Sequence, residues 1–288
     1  MERAAGDAGD LASQQQITSA TTSIVYSEAK KFTDEAYRTQ FLKDHPIYEV
    51  LKDENGNPTG TRRLSDEEVL RLQPAADGKI HVANNGIFND LDAAAKYAAQ
   101  HSTAEGGPQY LIHFPEAEYM VSELMIAGYQ AFLEGTFDLT NATQTTVDLM
   151  NRYGQDGLHF DGHSRGSLTT GNAMEVLSNQ GVAGVLSNTS INFFGPAYNV
   201  SNASALLGYL QGSGYDGIVQ YQNHMADPVG ILIGRNPPTG GTLPGGESSV
   251  LWQMIRAATA QPITSHNCYG TAPGACANFW NAGLPQYK

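Results

Sequence analysis

The chain has 288 residues, 41% of them hydrophobic, and a net charge of −13. The hydrophobic content excludes a disordered chain, and the length suits one large α/β domain, alone or with a small appendage. The acidic balance argues against nucleic acid as a partner, because phosphate binding needs a basic surface. No run of about 20 apolar residues occurs, so the sequence predicts no transmembrane segment.

Residues 1–77 are predicted to form a small N-terminal α+β appendage. A helix-like pattern runs through "SEAKKFTDEAYRTQFLKDH", and "IYEVLKDENGNPTGTRRL" predicts a hairpin that turns at its Asn-Gly pair. Ser65 and Glu68 have the spacing of a capping box, which predicts the start of a short helix.

Residues 78–288 are predicted to form the main domain, because strand patterns alternate with helix patterns along this part of the chain. Such alternation implies an α/β fold with a mostly parallel sheet covered by helices on both faces. The predicted strands are 79–84, 109–114, 158–162, 190–195 and 216–223, and the predicted helices are 90–102, 118–137, 140–154, 167–181 and 248–260.

The sequence "GHSRG" follows an apolar strand and precedes a helix, which is the context that a nucleophilic serine of the G-x-S-x-G type requires. Ser164 would sit on a tight corner where side chains two residues before and after it would collide, and Gly162 and Gly166 remove them. The backbone N–H of Arg165, at the helix N-terminus, would point at a developing oxyanion. The competing interpretation is an ordinary turn in a chain that contains 31 glycines.

A serine nucleophile needs a base, and His266 is the predicted one. In this architecture the order along the chain is serine, acid and then histidine. After Ser164 the sequence holds only His224, which directly follows a strand, and His266, which lies in a late loop where the base is expected.

Asp227 is the predicted acid, because it follows a predicted strand and precedes a proline that fixes the turn. Asp216 lies at the start of that strand, which is the wrong end of a parallel sheet. Asp161 adjoins the corner and is assigned local hydrogen bonding.

A second oxyanion donor is expected from the loop after the strand at 79–84. The backbone N–H of Gly86 or Ile87 is the predicted donor, with the Asn85 side chain as an alternative. No metal and no organic cofactor is required by this mechanism. His81, His113 and His159 are expected to be core residues, and no role follows for His163.

The two cysteines, Cys268 and Cys276, flank a short loop rich in Gly, Pro and Ala. A disulfide between them is sterically feasible in an oxidising compartment, and two reduced thiols are the alternative.

The segments "HFDGHSRGS", "HMADPVG" and "ITSHNCYG" make residues 79–288 resemble the α/β-hydrolase superfamily, on its lipase and esterase side. The resemblance implies the α/β-hydrolase fold and cleavage of carboxylic esters by Ser164, Asp227 and His266. The substrate stays open, because this fold hosts many chemistries.

The segments "KKFTDEAYRTQFLKDHPIYEV", "KIHVANNGIFND" and "GLHFDGHSRGS" are similar to the C-terminal toxin region of large haemagglutinin-like exoproteins of bacterial contact-dependent growth inhibition. This resemblance implies a lipase or phospholipase module that is delivered from the cell surface and acts in the envelope or cytoplasm of a target cell. It also implies envelope phospholipids as substrate and a cognate immunity protein as partner. An esterase, thioesterase, acyltransferase or peptidase with a non-lipid substrate is one alternative, and a catalytically inactive binding module is another.

Overall fold

The structure is a computed structural model. It describes residues 47–85, 90–102, 106–113, 141–243, 263–271 and 274–280. Three of the predicted helices, in the first 45 residues and at 118–137 and 248–260, lie outside these ranges.

A seven-stranded sheet lies at the centre of the described chain, in the order β2-β1-β4-β3-β5-β6-β7. β1 pairs antiparallel with β2 and β4, and all other neighbours are parallel. The predicted α/β class with a mostly parallel sheet is therefore confirmed. The strands are β1 (Ile47–Lys52), β2 (Pro58–Arg63), β3 (Ile80–Asn84), β4 (Gln109–Ile112), β5 (Leu158–His163), β6 (Thr189–Phe194) and β7 (Val219–Gln222).

Helices connect these strands. Between β2 and β6 the described helices are α1 (Asp66–Val69), α2 (Leu91–His101), α3 (Asn141–Tyr153) and α4 (Arg165–Asn179), and α5 (Val200–Gln211) precedes β7. A single π-helical turn, Val229–Ile233, and a short 3₁₀ helix, Gly274–Phe279, follow β7. None of the described helices combines the length and the apolar character needed to cross a bilayer.

Two helix starts follow from local side-chain chemistry, and the first is the capping box predicted from the sequence. The Ser65 hydroxyl accepts a hydrogen bond from the Glu68 backbone N–H, and the Glu68 carboxylate accepts one from the Ser65 N–H, which completes the capping box of α1. The Asp90 carboxylate likewise accepts from the backbone N–H of Ala93 at the start of α2.

The hairpin of β1 and β2 continues the sheet. β1 pairs with β4 at Tyr48 and Leu111, and Ile47 and Leu64 belong to the same buried cluster as Phe160 of β5. Within the described residues, the hairpin therefore shares a buried cluster with strands that follow residue 77.

The two faces of β5 differ in polarity because side chains alternate along a strand. Leu158 and Phe160 point into the main core, which α3, α4 and α5 cover. The other set, His159, Asp161 and His163, is polar although every residue of β5 is buried. This polar face of β5 leads directly to the corner at residue 164.

Candidate active site

Ser164 lies at the corner where β5 ends and α4 begins. Its backbone angles are φ 53° and ψ −119°, a combination that residues with a Cβ adopt only when the surroundings enforce it. Ser164 and Arg235 are the residues other than glycine with positive φ in the described chain. The strain at the corner is therefore localised at the residue that the motif singled out.

Gly162 and Gly166 are required by close packing around this corner. A Cβ added at Gly162 would lie 2.9 Å from the Phe193 ring and 3.1 Å from the Ser167 Cα, and one added at Gly166 would lie 2.1 Å from the Asn84 carbonyl oxygen. These distances give a physical reason for both glycines. The contact with Asn84 also places the end of β3 against the start of α4.

Hydrogen bonds hold the strained backbone of Ser164 in place. Its N–H donates to the Phe194 carbonyl oxygen at 2.8 Å. Its own carbonyl oxygen accepts from the Ser167 hydroxyl at 2.6 Å and from the Ala197 N–H at 3.3 Å. β6 and the loop after it therefore fix the corner from outside.

His266 and Asp227 are in direct contact, although 39 positions separate them in the sequence. The Nδ1 atom of His266 lies 2.9 Å from both carboxylate oxygens of Asp227. Asp227 has no exposed surface and His266 is only 5% exposed. Since Nδ1 is bound to an acceptor, the ring carries its proton there and presents Nε2 as a base.

The Asp227 carboxylate is held ionised by its neighbours. Burial by itself would raise its pKa, but attraction to His266 and hydrogen bonds from His266, Tyr269 and the Val229 N–H outweigh that effect, so the pKa is lowered. The Tyr269 hydroxyl donates to Oδ2 and accepts from the His224 N–H at 3.1 Å. Sequence reasoning missed Tyr269, because a tyrosine three residues after the histidine carries no signal of its own.

Two polar atoms of the predicted triad are buried without a hydrogen-bond partner. These atoms are the Ser164 Oγ and the His266 Nε2. The two atoms therefore form no hydrogen bond with each other. Gly195, which follows Phe194, packs closely against the pair of Asp227 and His266. A Cβ added at Gly195 would lie 2.4 Å from the Asp227 Oδ2 and 3.2 Å from the His266 Nδ1. General-base activation of serine requires a hydroxyl and an oriented imidazole nitrogen that can pair with each other, and both atoms are available here.

The loop that carries His266 is anchored at several points. The Ser265 hydroxyl donates to the Ala226 carbonyl oxygen at 2.8 Å, beside Asp227. The Gln100 side chain, on α2, donates to the Tyr269 carbonyl oxygen at 2.6 Å. The loop also holds a disulfide between Cys268 and Cys276, whose Cα atoms are 5.3 Å apart. These contacts fix the position of the imidazole relative to the sheet.

His224, the other histidine after the serine corner, has a structural role. Its Nδ1 accepts from the Ala226 N–H at 3.0 Å, and its Nε2 donates to the Phe279 carbonyl oxygen at 2.8 Å. Burial lowers its pKa. Both ring nitrogens are thus engaged by backbone groups, whereas the Nε2 of His266 has no hydrogen-bond partner.

His163 packs against His266. The two rings are stacked with centroids 5.0 Å apart, and the His163 Nε2 donates to the His266 carbonyl oxygen at 2.9 Å. Burial and repulsion from His266 lower the pKa of His163 to about 3. His163 is therefore neutral at neutral pH. The alternation of side chains along β5 places His163 on the same face as Asp161, and this alternation is the sequence signal that could have predicted its position.

The expected oxyanion site is described in part. Arg165 begins α4, and the first N–H groups of a helix have no partner within the helix. Gly86 and Ile87 lie outside the described residues. Asn85, the alternative donor, is buried at the end of β3, the strand whose carbonyl oxygen contacts the corner.

A second buried group of histidine and carboxylate lies further back along the same strands. His81, His159 and Asp161, here called the His81 cluster, each offer one potential metal-ligand atom, and these atoms lie within 4.8 Å of one another. The cluster is the one group of this kind within the described part of the chain. Asp161 makes the local hydrogen bond predicted for it, to His159 at 3.0 Å.

Comparison of the chain with protein families, with curated proteins and with solved structures yields no match.

Proposed function

We propose that the chain is a serine ester hydrolase of the α/β-hydrolase fold, with Ser164 as nucleophile, His266 as base and Asp227 as the acid that orients the base. The observation that carries the proposal is the contact of the His266 Nδ1 with both carboxylate oxygens of Asp227 while Nε2 stays unpaired. The strained corner at Ser164 supports it independently.

In the proposed mechanism, the His266 Nε2 removes the proton of the Ser164 hydroxyl as its oxygen attacks the ester carbonyl. The negative charge that develops on the carbonyl oxygen is stabilised by the Arg165 N–H and by a donor from Gly86 or Ile87, each contributing about 3 kcal/mol. The leaving alcohol takes the proton from the imidazole. Water then attacks the acyl-enzyme by the same path and releases the acid.

The resemblance to toxin regions of contact-dependent growth inhibition favours phospholipids as the substrate class. The chain would then be a phospholipase that acts as an interbacterial toxin module. The disulfide between Cys268 and Cys276 supports action in an oxidising compartment, such as the periplasm of a target cell, because such bonds persist where thiols are not kept reduced. A cognate immunity protein that blocks the site would protect the producing cell.

Ser164 has no exposed surface. A lipid substrate therefore reaches it only if segments around the corner move. We expect the rate of hydrolysis to depend on whether the lipid is dispersed or in a bilayer.

An active-site-directed fluorophosphonate tests the enzyme proposal. We expect the probe to label the wild type at Ser164 and to leave Ser164→Ala unlabelled, with a loss of esterase activity of at least about 10⁴-fold. Ser201→Ala, an exposed serine on α5, is the matched control and should label like the wild type. A folded wild-type chain that stays unlabelled would instead be a binding module.

Vesicles of phosphatidylethanolamine and phosphatidylglycerol test the substrate class. Mass spectrometry should detect free fatty acid and lysolipid with the wild type and neither product with Ser164→Ala. Hydrolysis of a short soluble ester without any attack on vesicles would favour the esterase alternative and remove the phospholipase proposal.

A further inference from the structure

The His81 cluster lies on the polar face of the central strands and plays no part in the proposed ester hydrolysis. All three residues are buried, with exposed fractions of 1% for His81, 5% for His159 and 2% for Asp161. Buried groups of this kind are costly unless they are paired or bind an ion.

The parallel register of β3 and β5 brings these side chains together. His81 pairs with His159 across the two strands, and Ala83 pairs with Asp161. Because residues two apart point to the same face of a strand, Asp161 lies beside His159. The two imidazole rings are 4.7 Å apart between centroids.

Each imidazole has a polar partner outside the cluster. The His81 Nε2 lies 2.9 Å from a carboxylate oxygen of Asp77, and the His159 Nδ1 lies 2.7 Å from the Ser190 hydroxyl. Histidines that bind metals characteristically donate their second N–H to a carboxylate, a carbonyl or another oxygen, which fixes the ring and the tautomer. The surroundings of both rings have this pattern.

The polar atoms of the cluster are incompletely paired. The His81 Nδ1 and the Asp161 Oδ2 are buried without a hydrogen-bond partner. The His159 Nε2 has the Asp161 Oδ1 at 3.0 Å, and this nitrogen is free to bind an ion when the ring keeps its proton at Nδ1, next to Ser190. Two imidazole nitrogens and one carboxylate thus converge.

We propose that the His81 cluster is a binding site for Zn²⁺, with His81, His159 and Asp161 as its three protein ligands. Two nitrogen donors and one oxygen suit zinc, whereas Mg²⁺ and Ca²⁺ prefer oxygen ligands throughout. In tetrahedral coordination with bonds of about 2.0–2.1 Å, the ligand atoms are about 3.3 Å apart. A small inward movement from the observed limit of 4.8 Å closes the site.

The ion would join β3 to β5 three residues before Ser164. Its main effect would be on the stability of the two central strands, since metal binding to the folded state alone stabilises that state. This site is independent of the ester hydrolase proposal.

Zinc titration of the full chain tests the site. After removal of metal with a chelator, the protein is titrated with Zn²⁺ against a colorimetric zinc indicator. We expect one equivalent to bind tightly, with a rise in Tm of about 5–10 °C when free Zn²⁺ is about 100 times Kd. Mg²⁺ and Ca²⁺ should produce neither effect. Failure of the folded wild type to bind Zn²⁺ would overturn the proposal.

Variants assign the bound ion to the cluster. His159→Gln and Asp161→Asn should no longer bind the one equivalent of Zn²⁺. Asp77→Asn should weaken zinc binding about 10- to 100-fold, because it alters a partner of His81. His113→Gln and Asp216→Asn, which change a histidine and a carboxylate outside the cluster, should bind like the wild type.

Circular dichroism shows which of these variants are folded. Equal zinc binding by the wild type and by folded cluster variants would place the ion elsewhere and overturn the assignment. Ser164→Ala should bind zinc normally, so a failed hydrolase proposal and a failed metal site give different results.

Discussion

Two buried pairs of histidine with aspartate lie near β5, one beside the corner that follows the strand and one on the polar face of the strand itself. At the end of β5, His266 faces Asp227 beside the Ser164 corner, whereas further back His159 faces Asp161 within the His81 cluster. Both pairs are buried and have similar separations, 2.9 Å and 3.0 Å. The residue types alone therefore do not separate the two sites.

The two pairs differ in the surroundings of the histidine nitrogen that does not contact the aspartate. The His266 Nε2 has no hydrogen-bond partner, and neither has the Ser164 hydroxyl, while both nitrogens of His159 lie within hydrogen-bonding distance of side-chain oxygens. The first arrangement suits proton transfer from serine, and the second suits a set of ligands held in place from outside.

The sharpest test of this difference replaces the aspartate of each pair by asparagine. Asp227→Asn should lower kcat for ester hydrolysis by about 10⁴-fold, because the amide no longer holds the His266 proton at Nδ1. Steady-state kinetics on a chromogenic ester measure the effect.

The matched change is Asp161→Asn, which should leave kcat within about tenfold of the wild type, since Asp161 contacts His159 and not His266. Equal losses in the two variants would show that both carboxylates serve one site. Such a result would remove the division between the two pairs.

The disulfide offers a second way to perturb one pair alone. Cys268 and Cys276 close a loop with a sequence separation of 8, and a loop of this size contributes about 2.5 kcal/mol to the free energy of unfolding by restricting the unfolded chain. The double variant Cys268→Ser and Cys276→Ser should lose about that much in urea denaturation.

The same variant should lose hydrolase activity at temperatures where it stays folded, because Cys268 lies two residues after His266. Zinc binding at the His81 cluster should be unchanged. A dithiothreitol-treated wild type should behave alike, and unchanged activity in both samples would contradict a role for the disulfide in holding the imidazole.

Much of the central fold follows from local sequence patterns. The capping box at Ser65 and the N-cap at Asp90 depend on contacts within three residues, so the sequence predicts them directly. The alternation of strands and helices gives the mostly parallel sheet. The sequence does not predict that the hairpin joins this sheet through β4, because nothing in its own pattern names a distant partner strand.

The sequence predicts the candidate site only where a short motif has a known structural cause. The glycines around Ser164 predict a tight corner, and the packing against Phe193 and Asn84 supplies its physical reason. The His81 cluster depends on the register between β3 and β5, which pairs two histidines 78 positions apart. A strand pattern shows that each is buried but not that they face each other.

Acid stability gives the smallest predicted effect and concerns His163, which stacks on His266. Its pKa is lowered to about 3 in the folded protein, while an exposed histidine in the unfolded chain titrates near 6.5. Between these values the unfolded chain binds the extra proton, so the free energy of unfolding falls as the pH falls. His163 should therefore contribute about 2 kcal/mol to the loss of stability between pH 7 and pH 5.

Urea denaturation of His163→Gln at both pH values measures this contribution. The variant is expected to be less stable at pH 7, because it loses the ring that stacks on His266, but its further loss on going to pH 5 should be smaller by about 2 kcal/mol. Asp227 does not affect the comparison. Because its pKa is lowered, the stability that it contributes is lost only when the pH falls below the normal pKa of a carboxyl group. His113→Gln, at the end of β4, is the histidine control. If His163→Gln loses as much stability as the wild type and His113→Gln, then His163 binds its proton in the folded protein at pH 5 and the prediction is wrong.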